Sequence, residues 1–374
     1  MGGLAGDALT SGNNNVVLGY NALGADTKGN NSVSVGQGTL QAQNFTSSTD
    51  AYNVAVGHQA GNQVTTGNVN TLIGGLAGDA LTDADHNVAL GYAALSSDTL
   101  GSKSTAIGRS ALTNQNFTSA QDSNNTAVGY QAGLSITTAT NNTLMGVSTG
   151  DSLTTGDTNV AIGNFALSTE TQGDRNVAIG YLALESQNNS SDTDVYNVGI
   201  GYSTGRLITT GVRNTIVGGL AGDAITDADF NTVLGFNALT TNQLGSKSVA
   251  IGAEALHSQN PASALDMFNI AVGHHAGYAM TTGIDNTLVG GLAGDALTTG
   301  DENVAIGKSS LSTNTQSNRN VAVGDSALTT MNIASDTNAY NVAVGHGAGN
   351  DVTTGVQNTL CLLYTSDAAD DRVS

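Results

Sequence analysis

The chain repeats itself every 72 residues. The segment Gly-Gly-Leu-Ala-Gly-Asp-Ala-Leu-Thr begins at Gly2, Gly74 and Gly290, and close variants begin at Gly146 and Gly218. Each copy divides into segments of 17, 17, 21 and 17 residues, and each segment ends a short β-like run on a glycine. A repeat inside a repeat indicates one repetitive domain over residues 2–360, not the two or three globular domains that 374 residues would otherwise suggest.

Composition narrows the classes of protein that this chain can belong to. Only 10 of 374 residues are Lys or Arg and the net charge is −20, which argues against a nucleic-acid partner. One Cys cannot form an internal disulfide or a thiolate zinc site. No apolar run approaches the roughly 18 residues of a membrane span. The 49 Gly and 4% aromatics are typical of thin repeated coils, which have little room for large rings.

Nineteen glycines from Gly19 to Gly345 end the same short motif. The residue three before the glycine is Val, Thr or Ile, the residue one before is aliphatic, and the residue four before is Asn or Ser. This alternation predicts a strand whose β-branched residues face inward, with a glycine at positive φ and a ladder of Asn side chains between coils. We therefore predict an all-β parallel β-solenoid of about 20 coils, stacked over roughly 95 Å.

The residue two before each glycine is then expected to point outward. It is apolar in 17 of 19 copies, as at Val17, Ala55 and Leu72, with Ser34 and Gly199 as exceptions. Stacked coils would turn these residues into a long apolar stripe, which a soluble monomer rarely exposes. The stripe predicts lengthwise homo-oligomerisation, with the alternative that each coil covers this face with its own loops.

The run Asn-Val-Ala-Ile-Gly, at residues 176–180 and as Ser-Val-Ala-Ile-Gly at 248–252, resembles the head repeat of YadA-type trimeric autotransporter adhesins. The run at 125–133 also resembles repeats of phage tail-fibre shafts. The resemblance covers residues 2–360 and implies a left-handed β-roll in which three identical chains lie side by side. The adhesin coil is shorter than 17 residues, and the 21-residue coil has no counterpart in that family.

Both ends of the chain interrupt the repeat. The pattern predicts an aliphatic residue at 361 and Gly at 362, but the chain reads Cys-Leu-Leu-Tyr-Thr-Ser from Cys361 onward, which resembles a translated sequencing adapter. We therefore expect residues 361–374 to be a non-native tail. Met1 occupies the phase of Ile73 and is expected to be an internal residue, so the chain is interpreted as a fragment.

The 21-residue coil is the strongest candidate for ligand contact. Its extra residues are expected to bulge outward, and it contains the only Pro and several of the few aromatics. The aromatic residues at its end occupy the same position of the repeat in each copy. They either contact a glycan or protein or cap the core, and we favour the second interpretation. A column of cations is expected to neutralise acidic turns, with ligand contact as the alternative. The candidate contacts are Phe45, Phe117, Tyr52, Tyr196, Phe268, Tyr340, Lys103, Arg175, Lys247 and Arg319.

Other polar columns have structural interpretations. Asp7 and its equivalents are expected to bond their own turns, because the spacing does not fit the calcium-binding nonapeptide. Asp85 and its equivalents fit a solvated turn, and His58, which alternates with Tyr in other copies, is interpreted as a half-buried filler. We therefore expect no metal, no cofactor and no catalytic residue.

The sequence thus predicts a structural or adhesive fibre segment, not an enzyme. Its expected partners are two further copies of itself and a surface glycan or host receptor, outside the cell, on a phage virion or a bacterial surface. A polysaccharide-degrading solenoid would need clustered carboxylates that break the repeat. An ice-binding solenoid would need a flat Thr array on one strand face.

Overall fold

The computed structural model describes residues 2–361. The chain is an all-β parallel β-solenoid of about 20 coils, as predicted, and no α-helix occurs within the described range. The chain divides into two compact units, the first ending at Asn197 and the second beginning at Val198. The expected non-native tail lies outside the described residues, apart from Cys361, which ends the last strand.

Each unit contains ten three-residue strands, one per coil. The strands of the first unit are Val16–Leu18, Val33–Val35, Val54–Val56, Thr71–Ile73, Val88–Leu90, Thr105–Ile107, Thr126–Val128, Thr143–Met145, Val160–Ile162 and Val177–Ile179. Those of the second unit are Val198–Ile200, Thr215–Val217, Thr232–Leu234, Val249–Ile251, Ile270–Val272, Thr287–Val289, Val304–Ile306, Val321–Val323, Val342–Val344 and Thr359–Cys361.

Successive strands pair in parallel, and residues of the same phase stack on one another. Ala55 in one coil pairs with Leu72 in the next, and Leu72 pairs with Ala89 in the coil after that. Every property that recurs at one phase of the sequence therefore becomes a continuous column of side chains along the unit. This is the arrangement that the 17-residue period predicts.

The prediction of which strand residues face the core is wrong. The middle residue of the strand is the buried one: Ala55, Leu72, Ala89, Leu144 and their equivalents are 0% exposed. The residues on either side of it are half-buried or exposed in nearly every coil. The apolar stripe expected two residues before each glycine is thus part of the core, and the outward aliphatic residues are its neighbours.

The Asn ladder is confirmed and is completely buried. The backbone N–H of Asn70 donates to Oδ1 of Asn53 in the preceding coil at 2.9 Å. Nδ2 of Asn70 donates to the carbonyl oxygen of Ala84 at 2.8 Å, in the turn of the next coil. The same pattern continues at Asn87 and beyond, so each side chain satisfies backbone groups of two coils that would otherwise be buried without partners.

The Leu-Leu-Gly-Gly order four residues after the strand glycine follows from core volume. Leu40 is fully buried at this phase with a φ of 46°. In the next coil the same phase is Gly61, where a Cβ would lie 2.7 Å from Cδ1 of Leu72. Leu72 is a strand residue, whereas most strands have Ala there. Where the turn has Gly61 instead of Leu, the side chain of the strand residue Leu72 occupies the space, and the core stays filled.

The 21-residue coil forms a second, shorter strand pair. The pairs are Gly29–Asn30 with Thr49–Asp50, Gly101–Ser102 with Gln121–Asp122, Gly173–Asp174 with Thr193–Asp194, and Gly245–Ser246 with Leu265–Asp266. In the fifth copy a single parallel bridge joins Asn318 and Asn338. The four extra residues thus loop outward before the chain rejoins the column, as predicted.

Candidate functional surfaces

The outward side chains of the strands form a largely aliphatic surface with Thr in seven coils. We call it the strand face and define it as the residues three and one before each strand glycine. The residue one before the glycine is aliphatic in every coil from Leu18 to Val344. Several members of this face are strongly exposed, among them Val16 at 56%, Leu18 at 50% and Leu234 at 48%. Most of these side chains are only half-buried in their own coil, yet the sequence keeps the residue one before the glycine apolar throughout.

Two columns border the strand face. The N-edge column consists of the residues five before each glycine position, and every one has a φ between 50° and 62°. Its members are Asn14, Asn31, Tyr52, Val69, His86, Lys103, Asn124, Asn141, Thr158, Arg175, Tyr196, Arg213, Phe230, Lys247, Phe268, Asp285, Glu302, Arg319, Tyr340 and Gln357. The candidate cations and the shared-phase aromatics of the sequence are therefore members of one column.

Cations and rings of the N-edge column contact one another between neighbouring coils. The Arg175 guanidinium lies 5.6 Å from the ring centre of Tyr196, and Nζ of Lys247 lies 5.2 Å from that of Phe268. Arg319 lies 5.7 Å from the Tyr340 ring and donates to the Tyr340 hydroxyl at 2.9 Å. Exposed cation–π contacts of this kind contribute about 0.5–1 kcal/mol each.

The cations also pair with acidic side chains, as predicted. Lys103 pairs with Asp122, Arg175 with Asp194 and Lys247 with Asp266. The fifth copy has Asn338 at that acidic position. Arg319 there turns to Glu302 of the preceding coil, with two N–O distances of 3.0 Å. This pair holds the pKa of the Glu302 carboxyl below its usual value, mainly through the hydrogen bonds from Arg319.

The predicted core caps are on the surface, so that interpretation is wrong. Tyr52, Tyr196, Phe268 and Tyr340 are 54%, 45%, 50% and 47% exposed. The structure leaves these rings available for contact with a partner. Their left-handed backbone conformation directs the chain outward just before the buried Asn, and nothing in the core requires a ring there.

Phe45 and Phe117 are buried, so neither stands at an exposed loop tip. Their exposed fractions are 6% and 3%. The ring of Phe117 packs against Gly101: a Cβ added to that glycine would lie 2.6 Å from the ring. In these two copies of the 21-residue coil the position of Phe45 and Phe117 fills the interior. The exposed residues are the polar ones that follow, such as Thr46 and Ser47.

A buried polar network that we did not predict lies under this coil. The Asp98 carboxylate accepts hydrogen bonds from the backbone N–H groups of Gly101 and Phe117 at 3.0 and 3.1 Å. It also accepts one from Nε2 of Gln115 at 2.6 Å, and Oε1 of Gln115 accepts one from Nδ2 of Asn125 at 2.9 Å. The equivalent pairs are Asp26 with Gln43 and Glu170 with Gln187. This network connects the outer loop to the Asn ladder.

The remaining acidic columns support the backbone. Oδ1 of Asp85 accepts the N–H of Asn68 in the preceding coil at 2.8 Å, and Oδ1 of Asp301 accepts that of Ile284 at 2.8 Å. Burial raises the pKa of Asp301 above its ordinary value, with nearby carboxylates acting in the same direction. Burial also raises the pKa of Asp79, whose Oδ1 is buried without a hydrogen-bond partner.

Asp174 has the most perturbed carboxyl of these columns. Its Oδ1 accepts the backbone N–H of Asp157 at 2.6 Å. Burial, helped by the neighbouring carboxylates of Asp192 and Asp157, raises the pKa of Asp174 from 3.8 to about 6. Copies two and four have Ser102 and Ser246 at this position, and their hydroxyls accept the equivalent N–H.

The second border of the strand face is the C-edge column, the residue directly after each glycine. It consists of Tyr20, Gln37, His58, Gly75, Tyr92, Arg109, Tyr130, Val147, Asn164, Tyr181, Tyr202, Gly219, Phe236, Ala253, His274, Gly291, Lys308, Asp325 and His346. The three histidines are exposed, so the half-buried filler that we predicted is wrong. Beside this column, Nε2 of His275 lies 2.7 Å from Oε2 of Glu254.

Within residues 2–361, no group of three or more His, Cys, Asp or Glu side chains is arranged to hold a metal ion. The described part of the chain has no helix long and apolar enough to span a membrane. No known protein family matches the chain, and no characterised protein does. The candidate surfaces therefore depend on the chain's own geometry: the strand face, its two edge columns and the loops of the 21-residue coils.

Proposed function

We propose that this chain is a structural and adhesive fibre segment that assembles lengthwise with identical copies through the strand face, most simply as a homotrimer. The observation that carries the proposal is the strand face itself. Its residue one before the glycine is Val, Ile, Leu or Met in all 19 coils, and its residue three before is Val or Ile in 12 coils and Thr in seven, although these side chains are half-buried or exposed. Apolar surface on this scale is stabilised by burial, at about 25 cal/mol per Å².

Identical copies are the simplest partner for such a surface. The strand face recurs once per coil, so a partner must match the same spacing of about 4.8 Å over many repeats. A second chain with the same repeat does so by construction, and closed rings of identical chains are the common form of homo-oligomers. The resemblance to trimeric adhesin heads and tail-fibre shafts favours three chains and an extracellular place, on a phage virion or a bacterial surface.

Adhesion is assigned to the surfaces that assembly leaves outside. The loops of the 21-residue coils are polar and exposed, and they recur once in each 72-residue copy. Weak contacts with a surface glycan or a host receptor, repeated along each of three chains, would add through avidity. The buried side chains of Phe45 and Phe117 take no part in this contact.

The test of assembly is the mass of the full chain in solution by light scattering. We expect the mass of three chains for the wild type and a lower mass after Ile107→Lys with Ile162→Lys, which places charges on the strand face. Ser47→Lys with Ser191→Lys adds the same charges on exposed loops and serves as the matched control. A wild type that stays monomeric at all concentrations, or face variants that retain the wild-type mass, would overturn the proposal.

Adhesion is measured separately on the assembled protein, by its retention on immobilised surface glycans. Retention should fall when the assembly is dissociated by the face variants, because avidity is lost while every loop remains. Equal retention of trimer and monomer would contradict the role assigned to repetition.

A further inference from the structure

In several coils the residue types at the two edges match. Five coils, two in the first unit and three in the second, have an aromatic or histidine ring in the N-edge column and a second ring in the C-edge column of the same coil. The ring pairs are Tyr52 with His58, His86 with Tyr92, Phe230 with Phe236, Phe268 with His274, and Tyr340 with His346. All ten side chains are exposed.

Small residues follow the same rule. The C-edge column is Gly or Ala in four coils, and each of these has a non-aromatic residue in the N-edge column. These coils are Val69 with Gly75, Arg213 with Gly219, Lys247 with Ala253, and Asp285 with Gly291. No coil therefore combines an aromatic or histidine ring at one edge with Gly or Ala at the other.

Charges in the fifth copy are arranged in the same way. The N-edge column has Glu302 followed by Arg319 in the next coil, and the C-edge column of the same two coils has Lys308 followed by Asp325. Along these two coils, the N-edge charges are negative and then positive, and the C-edge charges are positive and then negative. We call these four residues the charge quartet; three are exposed and Arg319 is half-buried.

The two edges of one chain are separated by the strand between them. From the buried Asn to the glycine the backbone is extended over about 13 Å, so ring pairs of one coil stand at opposite ends of the strand face. In a ring of identical chains whose strand faces point to a common axis, the N-edge of one chain adjoins the C-edge of its neighbour. The same coil of each chain then lies at the same height.

We propose that the N-edge column recognises the C-edge column of a second copy of this chain, coil against the same coil, and that the charge quartet fixes this register. The inference rests on the proposed assembly through the strand face and adds its direction and alignment. Glu302 would face the neighbour's Lys308, and Arg319 would face the neighbour's Asp325. The in-chain ion pair between Glu302 and Arg319 holds both side chains in place for this contact.

A slip of one coil removes the complementarity. In one direction Glu302 would face Asp325, and in the other Arg319 would face Lys308, so like charges meet in both cases. The rings also lose their partners: Tyr52 would face Gly75 or Gln37. The strand face alone does not prevent such a slip, because it repeats β-branched Val, Ile or Thr at one position and Val, Ile, Leu or Met at the other, and these side chains are similar in size in any register.

Four coils depart from ring pairing. In three of them the C-edge rings Tyr20, Tyr130 and Tyr181 share a coil with Asn14, Asn124 and Arg175, and the fourth has Lys103 and Arg109 at its two edges. Both cations have partners within the chain. Lys103 pairs with Asp122, and Arg109 lies 5.5 Å from the ring centre of Tyr130. The Asp122 carboxylate offsets the charge of Lys103, so this coil opposes the alignment less than two free cations would, and the register depends on the charge quartet and the ring pairs.

The experiment exchanges charges without changing composition. Lys308→Asp with Asp325→Lys inverts the C-edge, and Glu302→Arg with Arg319→Glu inverts the N-edge. Each inversion alone should raise the concentration at which the assembly dissociates by about tenfold or more, because like charges then meet at every interface. All four substitutions together should restore the wild-type value. Dissociation is followed by sedimentation at low salt, where surface charges are least screened.

The outcomes separate this inference from the proposed function. If the wild type does not assemble at all, both fail. If the wild type assembles but the single inversions have no effect, the register proposal is overturned and the fibre proposal stands. If the inversions weaken assembly but the fourfold variant is not rescued, the charges act within each chain and the pairing between copies is wrong.

Discussion

Gly74 and Gly75 are neighbours in the sequence, but only Gly74 is required by the fold. Gly74 has a φ of 134°, and a Cβ there would lie 2.4 Å from the carbonyl oxygen of Gly91 in the next coil. A Cβ on Gly75 would meet only the Tyr92 ring, at 3.5 Å, which is an ordinary contact. The strand-ending glycine is therefore fixed by close stacking of backbones, and its neighbour is not.

The two glycines make a matched pair of variants. Gly74→Ala should destabilise the chain by about 2 kcal/mol or more, since backbone strain and a backbone clash act together. Gly75→Ala should be neutral or slightly stabilising, because Ala restricts the unfolded chain without straining the folded one. Urea unfolding followed by circular dichroism measures both, and equal midpoints for the two variants would contradict the stacking argument.

Asp174 should make stability depend on pH. Its pKa of about 6 in the folded chain exceeds the ordinary value of 3.8, so the folded chain binds this proton more tightly than the unfolded chain. Its contribution to stability is present below about pH 4 and is lost as the pH rises through 6. Asp174→Ser, which introduces the residue found at Ser102 and Ser246, keeps a hydrogen-bond acceptor and removes the carboxyl.

We expect Asp174→Ser to be more stable than the wild type at pH 7 and to lose less stability between pH 4 and pH 6. Thermal unfolding at a series of pH values measures both effects. Asp79, Asp151 and Asp295 also have raised pKa values because of burial, so the variant should keep part of the same pH dependence. An unchanged slope would show that Asp174 is not the group responsible.

Residue-level reasoning predicted the Asn ladder and the strand glycines, because each has one physical explanation at a fixed phase. It failed on which strand residues face inward. A three-residue strand with apolar residues at all positions has two possible orientations, and alternation alone cannot choose between them. The decisive signal was size: Ala dominates the middle position because the thin core has little room, and Leu appears there only beside Gly61 and its equivalents.

At the scale of the element, the 21-residue coil is organised by a buried carboxylate. Asp98 receives three hydrogen bonds, two from backbone N–H groups and one from Gln115. Asp98 lies in the coil that precedes the loop, and Gln115 has the same phase in the looped coil; in the other coils this phase is apolar, for example Leu81. The polar pair thus marks where the chain must leave the column and return.

Substitutions at Asp98 should separate shape from hydrogen bonding. Asp98→Leu fits the volume found at Leu81 but leaves three buried donors unpaired, so we expect a loss of about 3 kcal/mol or more. Asp98→Asn introduces the residue found at Asn242, which accepts the N–H of Gly245 at 3.0 Å, and should cost about 1 kcal/mol or less. Urea unfolding compares the variants, and a mild Leu variant would show that the network is dispensable.

The loop was predicted to exist and to point outward, because its four extra residues cannot stack on a 17-residue coil. Its interior was not predicted. Phe45 looked like an exposed aromatic in a polar stretch, whereas the structure buries it above Asp26 and pairs its N–H with that carboxylate at 3.3 Å. The available signal was the recurrence of Asp or Glu 17 residues before Gln in three copies, which only stacked coils bring together.

At the scale of the whole molecule, the number of coils could be read from the sequence because each coil contains its own glycine. The existence of an outward apolar surface was also anticipated, although from the wrong residues. Its borders could not be predicted, since the N-edge column is recognised as one surface only when residues from all four segments of a copy are seen to share one backbone conformation.

The packing of Leu72 against glycines of the neighbouring turns limits which insertions and deletions of coils the fold can accept. Cβ atoms on Gly61 or Gly78 would lie 2.7 and 2.8 Å from the Leu72 side chain, so this leucine must have glycine-containing turns on both sides. Loss or duplication of a single coil would bring it against a leucine turn, whereas recombination between whole copies preserves every contact. Viable length variants should therefore differ by multiples of 72 residues, so that chain length changes by whole copies and not by single coils.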